Sequence, residues 1–330
     1  MIYFSIPVHE NIPVIINQMQ NLAAYAPQVR VVLHRSAQAA FSHHELASRL
    51  DEAGLRHCTV NPHSVPTAWS GIIEAHLANI RCIRQRGDAT LITFHSSNDM
   101  LVRGGVADFM QAHRNCLHQW PVFAESYWWP GPAALQDTAL AACLRHLGTG
   151  RLVGSQIEGS VYQAEVLYEI ADLAQDDRFS PSQPGPRYPR EEIWFSTLAT
   201  ALGVRPSAFP YVFSELQRFD AKAWGLARVS QRLPRWLGQR FVRRGIIDLC
   251  RYLPREQYVI GPQDVRAVRE ISPSLERYCI RRDGTHSGRV YHVENLYGLK
   301  RIARDCEDPV RKYISGLPLD VSEEAAAAVL

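Results

Sequence analysis

Ile2-Tyr3-Phe4-Ser5-Ile6-Pro7-Val8 and Val29-Arg30-Val31-Val32-Leu33-His34 decide the fold class of this chain. Both are short apolar runs, as expected of strands buried in a sheet. Ile12 to Tyr25, between them, has helical spacing. The alternation then continues. Phe41 to Ala53 is helix-like, Cys58-Thr59-Val60 is a short strand and Trp69 to Arg84 is a long amphipathic helix. Ala89-Thr90-Leu91-Ile92-Thr93-Phe94 is the strongest strand signal. Strands alternating with helices predict an α/β fold with parallel pairs. Loops leaving the C-terminal strand ends are then where a ligand binds.

The bulk numbers agree. A chain of 330 residues with 46% hydrophobic content can bury a large core. A formal charge of +3 does not argue for nucleic acid. The only lysines are Lys222, Lys300 and Lys312, so Arg carries nearly all the positive charge. Seven scattered cysteines without a CxxC pair suit free thiols in a reducing compartment. No uncharged apolar run approaches the roughly 18 residues of a membrane span. With a strand starting at Ile2, the expectation is a cytoplasmic protein without a signal peptide.

Ala107 to Leu173 mixes helices with short strands, and Ser180 to Pro186 reads as a loop. Arg218 to Arg255 differs in kind: ten basic residues stand against Asp220 and Asp248, interleaved with Trp224, Trp236, Phe241 and other apolar residues. This basic amphipathic helical insertion has three readings. It covers the core with Arg stems, lies on an anionic membrane surface, or binds a charged lipid-linked acceptor.

Two loops carry candidate chemistry. His95-Ser96-Ser97-Asn98-Asp99-Met100-Leu101-Val102-Arg103 follows the strongest strand and is dense in polar groups. Asp99 there either meets a ligand or closes an Asx-turn. Tyr188-Pro189-Arg190-Glu191-Glu192-Ile193-Trp194 sets two acids at a helix start. They serve either as a proton acceptor or as partners of the helix dipole. Gly148-Thr149-Gly150 follows a helix-like run, Leu135 to Leu147, and reads as a helix C-cap rather than a phosphate loop.

Six pieces in order point to one family. They are Tyr3 to Glu10 with Val31 to Ser36; Val65-Pro66-Thr67-Ala68-Trp69-Ser70-Gly71; Thr93 to Arg103; Gly154-Ser155-Gln156; Glu191-Glu192; and Asp283-Gly284-Thr285-His286-Ser287-Gly288-Arg289 with Ile302-Ala303-Arg304-Asp305-Cys306. In this order they resemble the core-2/I-branching β-1,6-N-acetylglucosaminyltransferase and peptide-O-xylosyltransferase family. Ile157 and Asp305 depart from its pattern, where an aromatic and a second basic residue are usual.

The resemblance implies one GT-A-like (Rossmann-like) domain over 1–330, a mixed sheet flanked by helices, with 218–255 inserted. It implies inverting transfer of a GlcNAc- or xylose-like sugar from a UDP-sugar donor to a glycan or glycolipid acceptor. No metal or other cofactor is implied, and the chain lacks an Asp-x-Asp triplet. Glu192 matches the catalytic base, with Glu191 as the alternative. Arg289 and Arg304 match the diphosphate-neutralising positions, supplemented by Lys300 or Arg301. Val8, His9 and Trp69 would lie near the nucleotide, and Ser97, Asp99 and Glu158 near a sugar. A catalytically inactive glycan- or nucleotide-binding relative, and a metal-dependent transferase of another class, remain the alternatives.

Overall fold

The computed structural model describes residues 1–9, 11–67, 70–122, 130–179, 185–214, 259–272 and 292–318. Trp69, Arg289, the 218–255 segment and the C-terminal tail lie outside the described residues.

The main sheet is mixed and mostly parallel. Its strands are β1 (Ile2–Val8), β2 (Arg30–Arg35), β3 (Cys58–Val60), β4 (Leu91–Phe94) and β8 (Val161–Gln163), in the order β3-β2-β1-β4-β8. β1 pairs in parallel with β2 and β4, β2 with β3, and β8 closes antiparallel on β4. The chain thus builds outward from β1 to β3 and then returns to β1's other side. That reversal places a topological switch point between β1 and β4, and the arrangement is compatible with a Rossmann-like fold.

Helices cover both faces, which is why β1 is buried along its whole length. Ile2, Phe4, Ile6 and Val8 pack in the cluster that holds α1 (Ile12–Tyr25) and α2 (His43–Glu52). Tyr3, Val32, Ile92 and Phe94 pack in the opposite cluster, which holds α3 (Ile72–Arg84), α7 (Ala164–Ala174) and α8 (Glu191–Ala201). Asn11 caps α1 through Val14 N–H at 3.1 Å. One polar spine crosses the second face. His76 Nδ1 meets Ser5 Oγ at 2.9 Å, Asn79 donates to Ser5 Oγ and to the Val32 carbonyl, and Asn61 donates to Asn79 at 3.0 Å.

Several expected boundaries move for visible reasons. α3 starts at Ile72 rather than Trp69 because the preceding loop is tied to the end of β2. Val65 N–H donates to His34 Nε2 at 3.0 Å, and Thr67 N–H to Ser36 Oγ at 3.3 Å. β4 starts at Leu91, where its parallel ladder with β1 begins opposite Ile2. The run Leu135 to Leu147 holds one helix, with a later start. α5 (Pro130–Ala134) ends and α6 (Thr138–His146) begins at Asp137, whose Oδ1 accepts from Ala139 and Leu140 N–H at 3.1 Å. Gly148 follows at φ +71°, the expected helix C-terminus.

A second, small sheet joins distant parts of the chain in the order β5 (Met100–Leu101), β10 (Gly298–Leu299), β9 (Val212–Phe213). Its own core includes Val102, Phe213, Leu299 and Ile302, with Val265 and Val268 of α9 (Pro262–Arg269) and Ile314 of α10 (Pro309–Ser315). β6 (Trp120–Pro121) and β7 (Val153–Gly154) form a short antiparallel pair. Serines and threonines of α8 hold β7: Thr197 Oγ1 and Ser196 Oγ both donate to the Val153 carbonyl. Among the described residues no helix is long and apolar enough to cross a membrane.

Gly159, just before β8, has φ +75°, and a Cβ there would lie 2.6 Å from Val212 N. Gly159→Ala is expected to lose about 1–2 kcal/mol to the left-handed backbone alone and more to the clash. Gly203→Ala (φ +85°, no atom within 4 Å) should lose the backbone part only. Thermal denaturation of both variants reads the difference.

Candidate functional site

The switch point collects polar side chains from five parts of the chain. The loop after β4 supplies His95 to Asp99, and the turn between β7 and β8 supplies Gln156 and Glu158. The first turn of α8 supplies Glu191 and Glu192. Tyr211 precedes β9, and Lys300 and Arg304 follow β10.

Glu158 lies at the junction. Its Oε1 accepts from Lys300 Nζ at 2.5 Å and from Ser96 Oγ at 2.9 Å. Gln156 Nε2 clamps the turn by donating to the Glu158 carbonyl (2.8 Å) and the Val212 carbonyl (2.7 Å). Burial pushes the Glu158 carboxyl up, but the Lys300 ammonium, aided by the Ser96 hydroxyl, outweighs it and holds the group well below its ordinary range. Glu158 Oε2 is buried without a hydrogen-bond partner.

Asp99 is fully buried. Its Oδ2 accepts from Ser96 N–H at 2.7 Å and faces His95 Nδ1 at 3.5 Å. The Asx-like closure of its own loop therefore uses the carboxyl that the resemblance assigns to a sugar. Burial, and then the neighbouring Glu158 charge, push Asp99 well above the usual carboxylate range, against the pull of Lys300 and Arg304. Gln18 of α1 pins the loop from behind by donating to the Ser96 and Asp99 carbonyls.

The two acids of α8 are not equivalent. Glu191 is buried, its Oε2 has no hydrogen-bond partner, and its carboxyl is pushed up to about 8. Burial is the first cause, with the like charges of Glu192 and Glu158 adding and Lys300 opposing. Glu192 is half-buried, and its carbonyl accepts from Ser155 N–H at 2.8 Å. The approach to α8 is held rigidly. Asp137 Oδ2 accepts from Tyr188 Oη (2.6 Å) and Trp194 Nε1 (3.0 Å), and Arg190 stacks over Trp194 while pairing with Glu74 at 3.1 Å. Sequence reading missed Asp137 because its partners are 51 and 57 residues away.

Other expected residues separate into groups. Arg304 is exposed, and its Nη2 reaches Ser97 Oγ at 3.4 Å, so Arg304, Ser97, Lys300, Glu158 and Asp99 do come together. Val8 turns its side chain into the core, and its carbonyl accepts from Ser36 N–H, so only its backbone borders the switch point. His9 is exposed beside it. Arg301 has φ +67° and lines a different cavity of about 240 Å³ with Ile260, Ile302 and Asp308. Trp69 and Arg289 lie outside the described residues. Tyr211, bonded to Thr93 beneath His95, carried no sequence signal.

The arrangement can hold an anion at Lys300 and Arg304. It can also offer carboxyls of contrasting acidity to hydroxyl groups. No protein-family model matches the chain, and no curated protein matches it. The fold and site by themselves define a mixed α/β protein with a charged cluster at its sheet switch point.

Two outcomes follow from these charges. Glu191's raised value means that its contribution to stability is full below about 4.5 and is lost as pH rises towards about 8. Glu191→Gln should therefore gain on the wild type by up to about 1.4 kcal/mol per pH unit across that window. Parallel melting curves that keep a constant offset would contradict this. Lys300→Met should lose about 3–5 kcal/mol at pH 7, where the buried Glu158 carboxyl loses its cation. Glu158 has a depressed value, so its stabilisation is present above its unfolded range and lost in acid. The Lys300→Met deficit should shrink below pH 4, as chemical denaturation at both pH values would show.

Proposed function

We propose that this chain is an inverting, metal-independent glycosyltransferase with a GT-A-like domain. It moves a GlcNAc- or xylose-like sugar from a UDP-sugar to a hydroxyl of a glycan or glycolipid, in cell-surface polysaccharide or glycoconjugate synthesis. The observation that carries the reading is the convergence of the acidic start of α8 with the Glu158–Lys300 pair and Arg304 at the β1/β4 switch point. The resemblance to the core-2/I-branching and xylosyltransferase family supports it independently.

In this reading one carboxylate of α8 takes the proton of the acceptor hydroxyl as its oxygen attacks the anomeric carbon. The new bond forms as the bond from that carbon to the phosphate oxygen breaks, and UDP departs with the bonding pair. Glu192 is the base, because it is the less buried of the two acids; Glu191 is the alternative. Arg304 and Lys300, with Arg289, meet the developing charge. The 218–255 segment would bring the enzyme to an anionic membrane surface or to its acceptor.

A second reading, a binding relative without catalysis, draws on Lys300. Its ammonium is engaged by Glu158, and Asp305 stands where the family has another basic residue. Assaying UDP-GlcNAc and UDP-xylose for transfer and hydrolysis with EDTA present separates the two. Glu192→Gln should slow turnover by about a hundredfold or more while UDP affinity is kept. Normal turnover in that variant would remove Glu192 as the base, and activity that requires a divalent ion would remove the metal-independent mechanism.

A further inference from the structure

Thr93 has a single hydroxyl proton and donates it to the Ser160 carbonyl at 2.9 Å. Its oxygen is therefore the acceptor in the 3.0 Å bond with Tyr211 Oη, which uses the one Tyr211 proton. The other bond of Tyr211, 2.6 Å to His95 Nε2, must then have the imidazole as donor. His95 thus carries its proton on Nε2, and in the neutral ring Nδ1 is a lone pair. That nitrogen is buried, has no hydrogen-bond partner, and faces Asp99 Oδ2 at 3.5 Å. Both side chains are 0% exposed, so bulk solvent does not screen two acceptors that lie 3.5 Å apart. A proton in the gap removes the conflict. On the carboxyl or on the imidazole it amounts to the same count, one more than a neutral His95 beside an ionised Asp99.

The surroundings locate it. Phe4 of β1 covers the His95 ring at 4.8 Å, and burial holds the imidazole down to about 3. Asp99 is pushed up by burial and by Glu158, with Lys300 and Arg304 opposing. The proton belongs to Asp99. The other titratable groups near this cluster include Glu191 of α8 with Glu192 beside it, His76 of α3, which feels the Glu158 charge, and Tyr211, which feels Asp99. Gln18 of α1 reaches only backbone carbonyls.

We propose that the proton held between His95 and Asp99 sets the charge of ligand that this site accepts. With it, the Lys300–Arg304–Glu158–Asp99 group carries one net positive charge and attracts a phosphate-bearing anion. Without it, the group is neutral and the attraction fails. Asp99 then acts on the ligand through charge rather than by touching a sugar. This deepens the proposed function and rests on that reading for the identity of the anion.

The test is a paired titration. Carboxyl ¹³C and imidazole ¹⁵N spectra of the wild type should show an Nε2–H His95 and an Asp99 that ionises well above the usual carboxylate range. Calorimetric UDP affinity should fall tenfold or more across that midpoint, the effect of one charge in a poorly solvated site. The fall should persist in Glu191→Gln, which removes the competing titration, and should vanish in Asp99→Asn. An Asp99 that ionises within the usual carboxylate range, or UDP affinity that is flat across the observed Asp99 midpoint, overturns the proposal. If UDP binds at no pH, the donor reading fails by itself, and inorganic pyrophosphate as the probe carries the same comparison.

Discussion

A buried carboxylate needs a cation, and in this protein Glu158 and Lys300 meet that need across 142 residues of sequence. The turn that carries Glu158 closes onto β8 of the main sheet, while Lys300 follows β10 of the small one. Their 2.5 Å contact is therefore also where the early α/β part and the late part of the chain are held in register. Gly159 makes the approach possible, because only a residue without a Cβ lets the turn pass Val212 so closely. Gln156 adds two hydrogen bonds across the same seam.

The pair also orders the acidities around it. Lys300 can fully compensate one neighbour, and geometry gives it to Glu158. Asp99 and Glu191 then meet both a dry environment and a fixed negative charge, so their protonated forms are favoured. Carboxyls within one cluster thereby come to differ in their protonation at neutral pH. Contrasts of this kind separate acid, base and hydrogen-bond donor roles in one site.

Rigid support lies behind the site. α8 is anchored through Asp137, Tyr188 and Trp194 at its start and through Ser196 and Thr197 against β7, so its acids are presented by a helix that has little freedom to turn. The loop after β4 is likewise braced by Gln18 from α1 and by the His95–Tyr211–Thr93 chain below it.

The main sheet was legible in the sequence because its signal is local. β1 and the middle of β2 are buried on both faces and read as largely apolar runs, and the helix between them carries helical periodicity and a recognisable cap. The acid pair at a helix start and the polar loop after β4 could be found for the same reason. The small sheet could not, since each of its strands is two residues long and means nothing until its partners arrive from far along the chain. Composition alone likewise did not say which carboxyls are charged. Glu158, Asp99 and Glu191 are chemically near-identical carboxylic acids in sequence, and only folding, which gives one of them an ammonium and leaves the others burial and a negative neighbour, makes them different.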